Sequence, residues 1–210
     1  MPIQGALFAD EATVLPDLPG ADLRWRPHLF GAADAERLFT ELHATCTWKQ
    51  DSVWMYGRWL PVPRLTAWYG DDATTYEYSG IHLDPAAWTA PLLEVKAAVE
   101  AEVGVPFNSV LANLYRDGRD SVAWHADDEH ELGREPVIAS VSFGATRTFG
   151  LRSNDDHRLR HDIELTPGSL LVMAGRTQHR WQHRVAKTAK PVGPRINLTF
   201  RRTGPRRPRA

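Results

Sequence analysis

After Gly104 the chain breaks into short runs rich in β-branched and aromatic residues, and this feature limits its architecture more than any other. The runs read SVLANLYR, VIASVSFG, TRTFGLR, DIELT, SLLVMAG, HRV and RINLTFR. Turn formers separate them, among them Asp117-Gly118, Asn154-Asp155-Asp156 and Pro167-Gly168. Many short strands at even spacing imply a sandwich or jelly roll.

Upstream the pattern is different. A helix is predicted over Ala33–Ala44, with Leu38, Phe39 and Leu42 on one face. A second is predicted over Pro91–Val103, opened by proline and stopped by Gly104. Residues 1–27, rich in Asp, Pro and Gly, read as irregular. The segment VWMYGRWLPVPR has two apolar arms around Tyr56-Gly57, which predicts a hairpin. Met55 and Tyr56 fall at its tip with Arg58 nearby, while Val53, Trp54 and Trp59 read as core. The expected fold is mainly β with flanking helices (α+β), two N-terminal helices packing on a sandwich that fills the second half.

A chain of 210 residues, 42% hydrophobic and 24% charged, suits one globular domain rather than disorder. Its first twenty residues lack the basic start and apolar centre of an export signal. No apolar run approaches the roughly 20 residues of a membrane helix, so no membrane partner is expected. Cys46 is the single cysteine, which excludes an intramolecular disulfide and fits a reducing compartment, a bacterial cytoplasm or, in a eukaryote, the nucleus. The formal net charge of −1 argues against a nucleic-acid partner, but the charge is unevenly spread. Residues 1–22 hold only acidic charges, and RINLTFRRTGPRRPRA only arginines. The final Arg/Pro residues read as a solvated tail.

Two segments carry chemistry. SVAWHADDEH places His125-x-Asp127 just after a predicted strand, and WQHRV supplies His183 far downstream. Two histidines and one carboxylate on one face of an ion leave three positions open, the facial triad of non-haem iron(II) oxygenases. On extended backbone, residues i and i+2 point the same way, so both H-x-D donors can reach one metal. Alone, the spacing also describes a surface histidine among acids. His179 lies four residues before His183, a helical metal-pair spacing, but Trp181 and Val185 alternate with His183 as on a strand. The expected ligand is therefore His183.

The run RINLTFR alternates Arg195, Asn197, Thr199 and Arg201 with Ile196, Leu198 and Phe200. A strand face with two arginines suits a dicarboxylate, because guanidinium forks match carboxylates in geometry and charge. The separation of Arg195 from Arg201 spans roughly 20 Å of strand, enough for both to lean toward a small diacid. Asn113 and Tyr115 share one face of an earlier strand and are candidate donors to the same carboxylates.

With these residues in hand, the chain resembles the AlkB family of nucleic-acid dealkylating oxygenases, and its eukaryotic DNA- and RNA-repair branch in particular. The resemblance runs from about Val53 to Arg202 and rests on H-x-D-D-E, S-F-G-A-x-R-x-F, W-x-H-R-V and P-R-x-N-L-T-F-R. Residues 1–50 and the Arg/Pro tail match nothing in that pattern. The resemblance implies a double-stranded β-helix (jelly roll), with residues 1–104 as extension, helices and nucleotide-recognition lid, 105–203 as catalytic core and 204–210 as basic tail, in one compact domain. It implies Fe(II) on His125, Asp127 and His183. It implies 2-oxoglutarate held by Arg195 with Asn113 and Tyr115, and Asn197 and Arg201 nearer the metal. Asp128 and Glu129 match acidic residues beside the target base, and Tyr76 and Tyr78 match aromatic lid residues. A bulky apolar residue stands at the position of Tyr56 in the duplex-acting members. The implied activity is O2-dependent oxidative dealkylation of 1-methyladenine- and 3-methylcytosine-type lesions in DNA, with RNA also open, by a monomer. Such bases are cationic, so Asp128 and Glu129 favour them by charge and Tyr76 or Tyr78 by cation–π contact.

Three other readings use some of the same residues. An oxygenase acting on protein or a small molecule keeps the triad and arginines but has no use for the aromatic segment WYGDDATTYEYSG. A non-catalytic nucleic-acid module has no need of an intact triad. A zinc-binding cupin has no need of paired arginines along one strand.

Overall fold

The computed structural model describes residues 15–55, 57–71, 76–78, 81–83 and 85–204, with backbone alone at 55, 76–78 and 81–83. It opens with β1 (Asp22–Arg26) and α1 (Ala32–Thr45), followed by a hairpin of β2 (Ser52–Met55) and β3 (Arg58–Pro61). Next come β4 (Leu65–Gly70), a hairpin of β5 (Tyr76–Tyr78) and β6 (Ile81–Leu83), and α2 (Ala90–Val103). The remaining strands are β7 (Ser109–Tyr115), β8 (Val122–His125), β9 (Ile138–Gly144), β10 (Arg147–Ser153), β11 (Arg160–Leu165) and β12 (Leu170–Ala174). A single helical turn, α3 (Thr177–Arg180), leads into β13 (Trp181–Val185), and β14 (Arg195–Arg201) follows.

Both helices form where the apolar spacing predicts them. Leu38 and Leu42 of α1 and Leu92, Val95 and Val99 of α2 are wholly buried. Pro91 sits in the first turn of α2, and Gly104 ends it in the left-handed region at φ 79°. The strands form two antiparallel sheets, one ordered β1-β12-β9-β14-β7-β4 and the other β11-β10-β13-β8. This is the expected jelly roll.

The six-stranded sheet is buried on both faces. On one side Val110, Ala112, Val141, Phe143, Ile196, Leu198 and Phe200 pack against the two helices. On the other, Trp68, Leu111, Ile138, Leu171 and Met173 join Phe149, Leu151, Ile163 and Trp181 in the space between the sheets. Burying each large apolar side chain contributes about 1.5–3 kcal/mol, so the helix-side residues hold the sheet rigid while part of its other face carries polar groups. The β9–β10 turn depends on Gly144, at φ 78°, where an added Cβ meets the Pro194 carbonyl oxygen at 2.5 Å. That close approach seats the segment entering β14.

Two expectations need correction. The segment taken as irregular contains β1, which pairs with β12 from Asp22↔Ala174 to Arg26↔Leu170. β4 also belongs to the six-stranded sheet. Trp54 and Trp59 are not core: they are 59% and 65% exposed. The hairpin itself is present with Trp54 opposite Trp59 and Met55 opposite Arg58. Tyr56, residues 1–14 and residues 205–210 lie outside the described residues, as do the side chains of Met55, Tyr76 and Tyr78.

Candidate active site

The polar positions of β14 face the space between the sheets because its apolar positions are committed to the helices. Arg195, Asn197, Thr199 and Arg201 therefore line a narrow cavity together with Asn113, Tyr115, His125, Asp127, Phe149 and His183. A larger cavity, about 850 Å³, lies between Leu15–Arg26 and Glu102. It is the roomier of the two, but the clustered metal-type donors line the narrow one, and the chemistry belongs there.

His125 ends β8 and pairs directly with His183 on the neighbouring strand β13. Asp127 follows in the loop two residues on, so strand pairing brings the second histidine to the H-x-D segment. Ligand atoms of the three residues lie within 4.8 Å of one another. His125 Nε2 is 3.7 Å from Asp127 Oδ1, and the two imidazole rings have centroids 4.2 Å apart. His125 Nδ1 lies 2.8 Å from the Ala123 carbonyl oxygen. An N–H donated there fixes the tautomer that leaves Nε2 as the metal-facing lone pair. The His183 ring packs nearly parallel to Phe149, at 22° and 5.1 Å.

Electrostatics prepare both kinds of ligand. Burial opposes ionisation of Asp127, but the adjacent Arg201 guanidinium, by charge and hydrogen bond, outweighs it and holds the carboxyl well below the usual range. Arg201 Nη2 donates to Asp127 Oδ2 at 2.8 Å. Burial pushes His183 down to about 3, with His125 adding to the effect and Asp127 opposing it, so its imidazole is neutral at physiological pH. Asp127 Oδ1 is buried with no hydrogen-bond partner. The neutral His183 imidazole, the His125 ring beside it and an ionised carboxylate with one buried oxygen lacking a hydrogen-bond partner fit an iron(II) ion.

At the other end of β14, Arg195 is 1% exposed. Its Nη2 donates to Ser142 Oγ at 2.9 Å, but Nε and Nη1 are buried without a partner. Burial pushes its pKa down to about 10. Unpartnered buried N–H groups on a guanidinium cost free energy, and a carboxylate relieves that cost. Arg195 and Arg147 lie on the Tyr115 ring at 5.1 and 5.7 Å. Asn113 Oδ1 accepts from Arg64 Nε at 2.6 Å, which leaves the amide N–H groups as the donors toward the cavity. Asn197 lines the cavity, but its amide donates to Ser140 Oγ and the Val141 carbonyl oxygen while its Oδ1 accepts from Thr199. It braces β9 against β14.

The remaining candidates divide. Asp128 is exposed and Glu129 half-buried, both on the loop beyond Asp127. The backbone of Tyr76 and Tyr78 lies in the β5–β6 hairpin and that of Met55 at the end of β2. His179 belongs to α3, exposed, with its Nε2 against the Arg134 carbonyl oxygen and outside the three-residue cluster. The helix-to-strand change at Trp181 turns it away from His183. Two residues were missed from sequence. Arg64 is a buried arginine of the cavity wall, yet in LPVPR it reads only as the end of the hairpin segment. Gln178, 1% exposed, accepts the backbone N–H of Asp127 through Oε1 at 3.0 Å, and nothing in TQHR signals that contact.

A family described as the 2OG-Fe(II) oxygenase superfamily matches residues 22–201. The chain is 45% identical over 188 residues to the Bos taurus alpha-ketoglutarate-dependent dioxygenase alkB homolog 3, covering 85% of this chain and 65% of that protein. It thus spans just under two thirds of that relative's length. It is 41% identical over 187 residues to the Mus musculus DNA oxidative demethylase ALKBH2, covering 84% of this chain and 78% of the relative. A solved chain described as the structure of OsALKBH1 superposes with a TM-score of 0.62 at 17% identity, covering 90% of this chain and 100% of that one. A Pseudomonas putida prolyl-4-hydroxylase gives 0.54 at 17% identity, covering 88% and 94%. These two likenesses show the fold alone. Family match and relatives together place the chain in the 2OG-Fe(II) oxygenase superfamily, as a member of the AlkB family.

Proposed function

We propose that this chain is an Fe(II)- and 2-oxoglutarate-dependent dioxygenase that removes alkyl groups from N-alkylated nucleobases, of the 1-methyladenine and 3-methylcytosine type. DNA is the proposed polymer, with RNA as the second to be assayed. The enzyme acts as a monomer in a reducing intracellular compartment, where iron stays ferrous and Cys46 stays a thiol. No described helix is long and apolar enough to cross a membrane. The observation that carries the reading is the meeting of His125, Asp127 and His183 at one end of a cavity that also contains the Arg195 guanidinium, whose Nε and Nη1 are buried without a hydrogen-bond partner. The relatives named as DNA demethylases support the choice of substrate.

When bound, iron(II) with 2-oxoglutarate and dioxygen supplies the oxidation that hydroxylates the alkyl carbon and lets it leave, as formaldehyde when the group is methyl. The protein's part is orientation and electrostatics. His125, Asp127 and His183 hold the metal, and Arg201 keeps Asp127 ionised. Arg195, with Asn113 and Tyr115, receives the far carboxylate of 2-oxoglutarate, and Arg201 with Asn197 shapes the near end. Asp128 and Glu129 bias the entrance toward cationic bases. Tyr76 and Tyr78 are proposed to stack on the base, and Met55 and Tyr56 to occupy its place in a duplex.

The test is mass spectrometry of 1-methyladenine and 3-methylcytosine oligonucleotides, single- and double-stranded, incubated with iron(II) and 2-oxoglutarate. Loss of the methyl mass with matching succinate, both abolished by Asp127→Ala, is expected. Unchanged oligonucleotides alongside turnover of a peptide or small molecule would overturn the substrate class.

A further inference from the structure

The β2–β3 hairpin has two unlike faces. Cross-strand pairing puts Val53 opposite Leu60, and both are half-buried. The alternate face carries Ser52 opposite Pro61 and Trp54 opposite Trp59. These tryptophans, 59% and 65% exposed, are the most exposed large apolar side chains among the described residues. Their rings meet edge to face, at 5.6 Å and 67°. An edge-to-face contact uses a single ring face and leaves other π-faces open to a flat partner.

The hairpin is fastened to the rim of the cavity. Gln50 Nε2 donates to the carbonyls of Val62 and Arg64, and Gln50 Oε1 accepts from Arg116. The Pro63 carbonyl accepts the N–H of Ser121, just before the strand that ends at His125. Trp59 precedes the cavity residue Arg64 by five positions, at most roughly 17 Å of extended chain. A polymer threading a base into the cavity therefore passes the tryptophans within a few nucleotides. The hairpin's only charged residue is Arg58, exposed and positive. A face of two rings buries at most about 500 Å², short of the roughly 800 Å² per partner of a stable protein interface. Small area, flat π-surface, positive charge and proximity to the cavity select unpaired bases over a protein.

We propose that the Trp54–Trp59 face is a stacking platform for unpaired bases flanking the base in the cavity, which makes single-stranded nucleic acid the preferred substrate. The inference rests on the nucleobase reading above. Aromatic stacking holds bases without regard to sequence. The test is fluorescence anisotropy of labelled unmodified single strands and matched duplexes with wild type, Trp54→Ala, Trp59→Ala and the double Phe variant, at one salt concentration. Each Ala variant is expected to weaken single-strand binding by between about fivefold and a hundredfold. Duplex binding should change less, and the Phe pair should recover most of the loss. Melting temperatures establish that the variants are folded. Unchanged single-strand affinity in both Ala variants overturns the platform. So does an altered sedimentation coefficient with unaltered oligonucleotide affinity, which makes the face a contact between copies. Failure of the underlying reading looks different, because the wild type itself then neither binds oligonucleotides nor demethylates them.

Discussion

Gln178 holds the backbone of Asp127, a proposed metal ligand. Its amide oxygen accepts the Asp127 N–H while its Nε2 lies 3.5 Å from Met173 Sδ. Removing the acceptor leaves a buried N–H unsatisfied, at about 1–3 kcal/mol, and loosens the loop that aims Asp127. Gln178→Leu is expected to weaken Mn(II) binding, read by calorimetry, by about 10–100-fold. Gln178→Glu keeps an acceptor and recovers part of it; unchanged affinity in the Leu variant removes the positioning role. Arg195 is proposed to receive the far carboxylate of 2-oxoglutarate. Arg195→Ala should abolish measurable 2-oxoglutarate binding in a titration, and Arg195→Lys should restore only part, because an ammonium cannot reproduce the fork. Normal affinity in the Ala variant excludes that role. The residues His125, Asp127, His183 and Arg195 were legible because their chemistry is written in short-range alternation along strands. Arg64 and Gln178 were not, since each acts through a contact 49 or 51 residues away in sequence, and such a contact leaves no local period.

At the scale of elements, β14 serves two layers at once. Leu198 is wholly buried on its helix side, between the paired polar positions Asn197 and Thr199 on the other. Leu198→Ala is expected to lower stability by about 2–5 kcal/mol, read as a fall in the urea midpoint at constant m. A change below about 1 kcal/mol means that the helices do not clamp this strand. Strands with β-branched runs and both long helices were recoverable from periodicity, to within a residue or two. β1 was not. DLRWR has a charged, short, edge-strand composition, and only its pairing with β12 makes it extended. Trp54 and Trp59 misled in the opposite direction, because aromatic residues in an alternating run normally face a core.

Across the whole molecule, the single thiol gives stability a pH signature. Burial raises Cys46 to about 11, with a hydrogen bond from Tyr69 acting the other way. An unfolded thiol ionises near pH 8.5. Between about 9 and 11 the unfolded chain therefore holds fewer protons than the native one, and stability falls as pH rises. Tyr69, also raised by burial, adds to the same slope at its upper end. The urea midpoint should drop across this window more steeply in the wild type than in Cys46→Ala, whatever the baseline stability of the variant. Parallel slopes would mean that the thiol ionises equally in both states.

The position of β14 within its sheet also bears on how the molecule is made. It lies between β9 and β7, yet it follows both, and every other strand among the described residues, along the chain. Until it emerges from the ribosome, those two neighbours face an empty slot with unpaired backbone groups on each side. Such edges recruit foreign strands, and they persist longest when translation slows between Val185 and Arg195. The same delay keeps Arg195 and Arg201 away from the other cavity residues. A nascent chain thus keeps two open edges until β14 arrives to seal the sheet and close the wall of the cavity together.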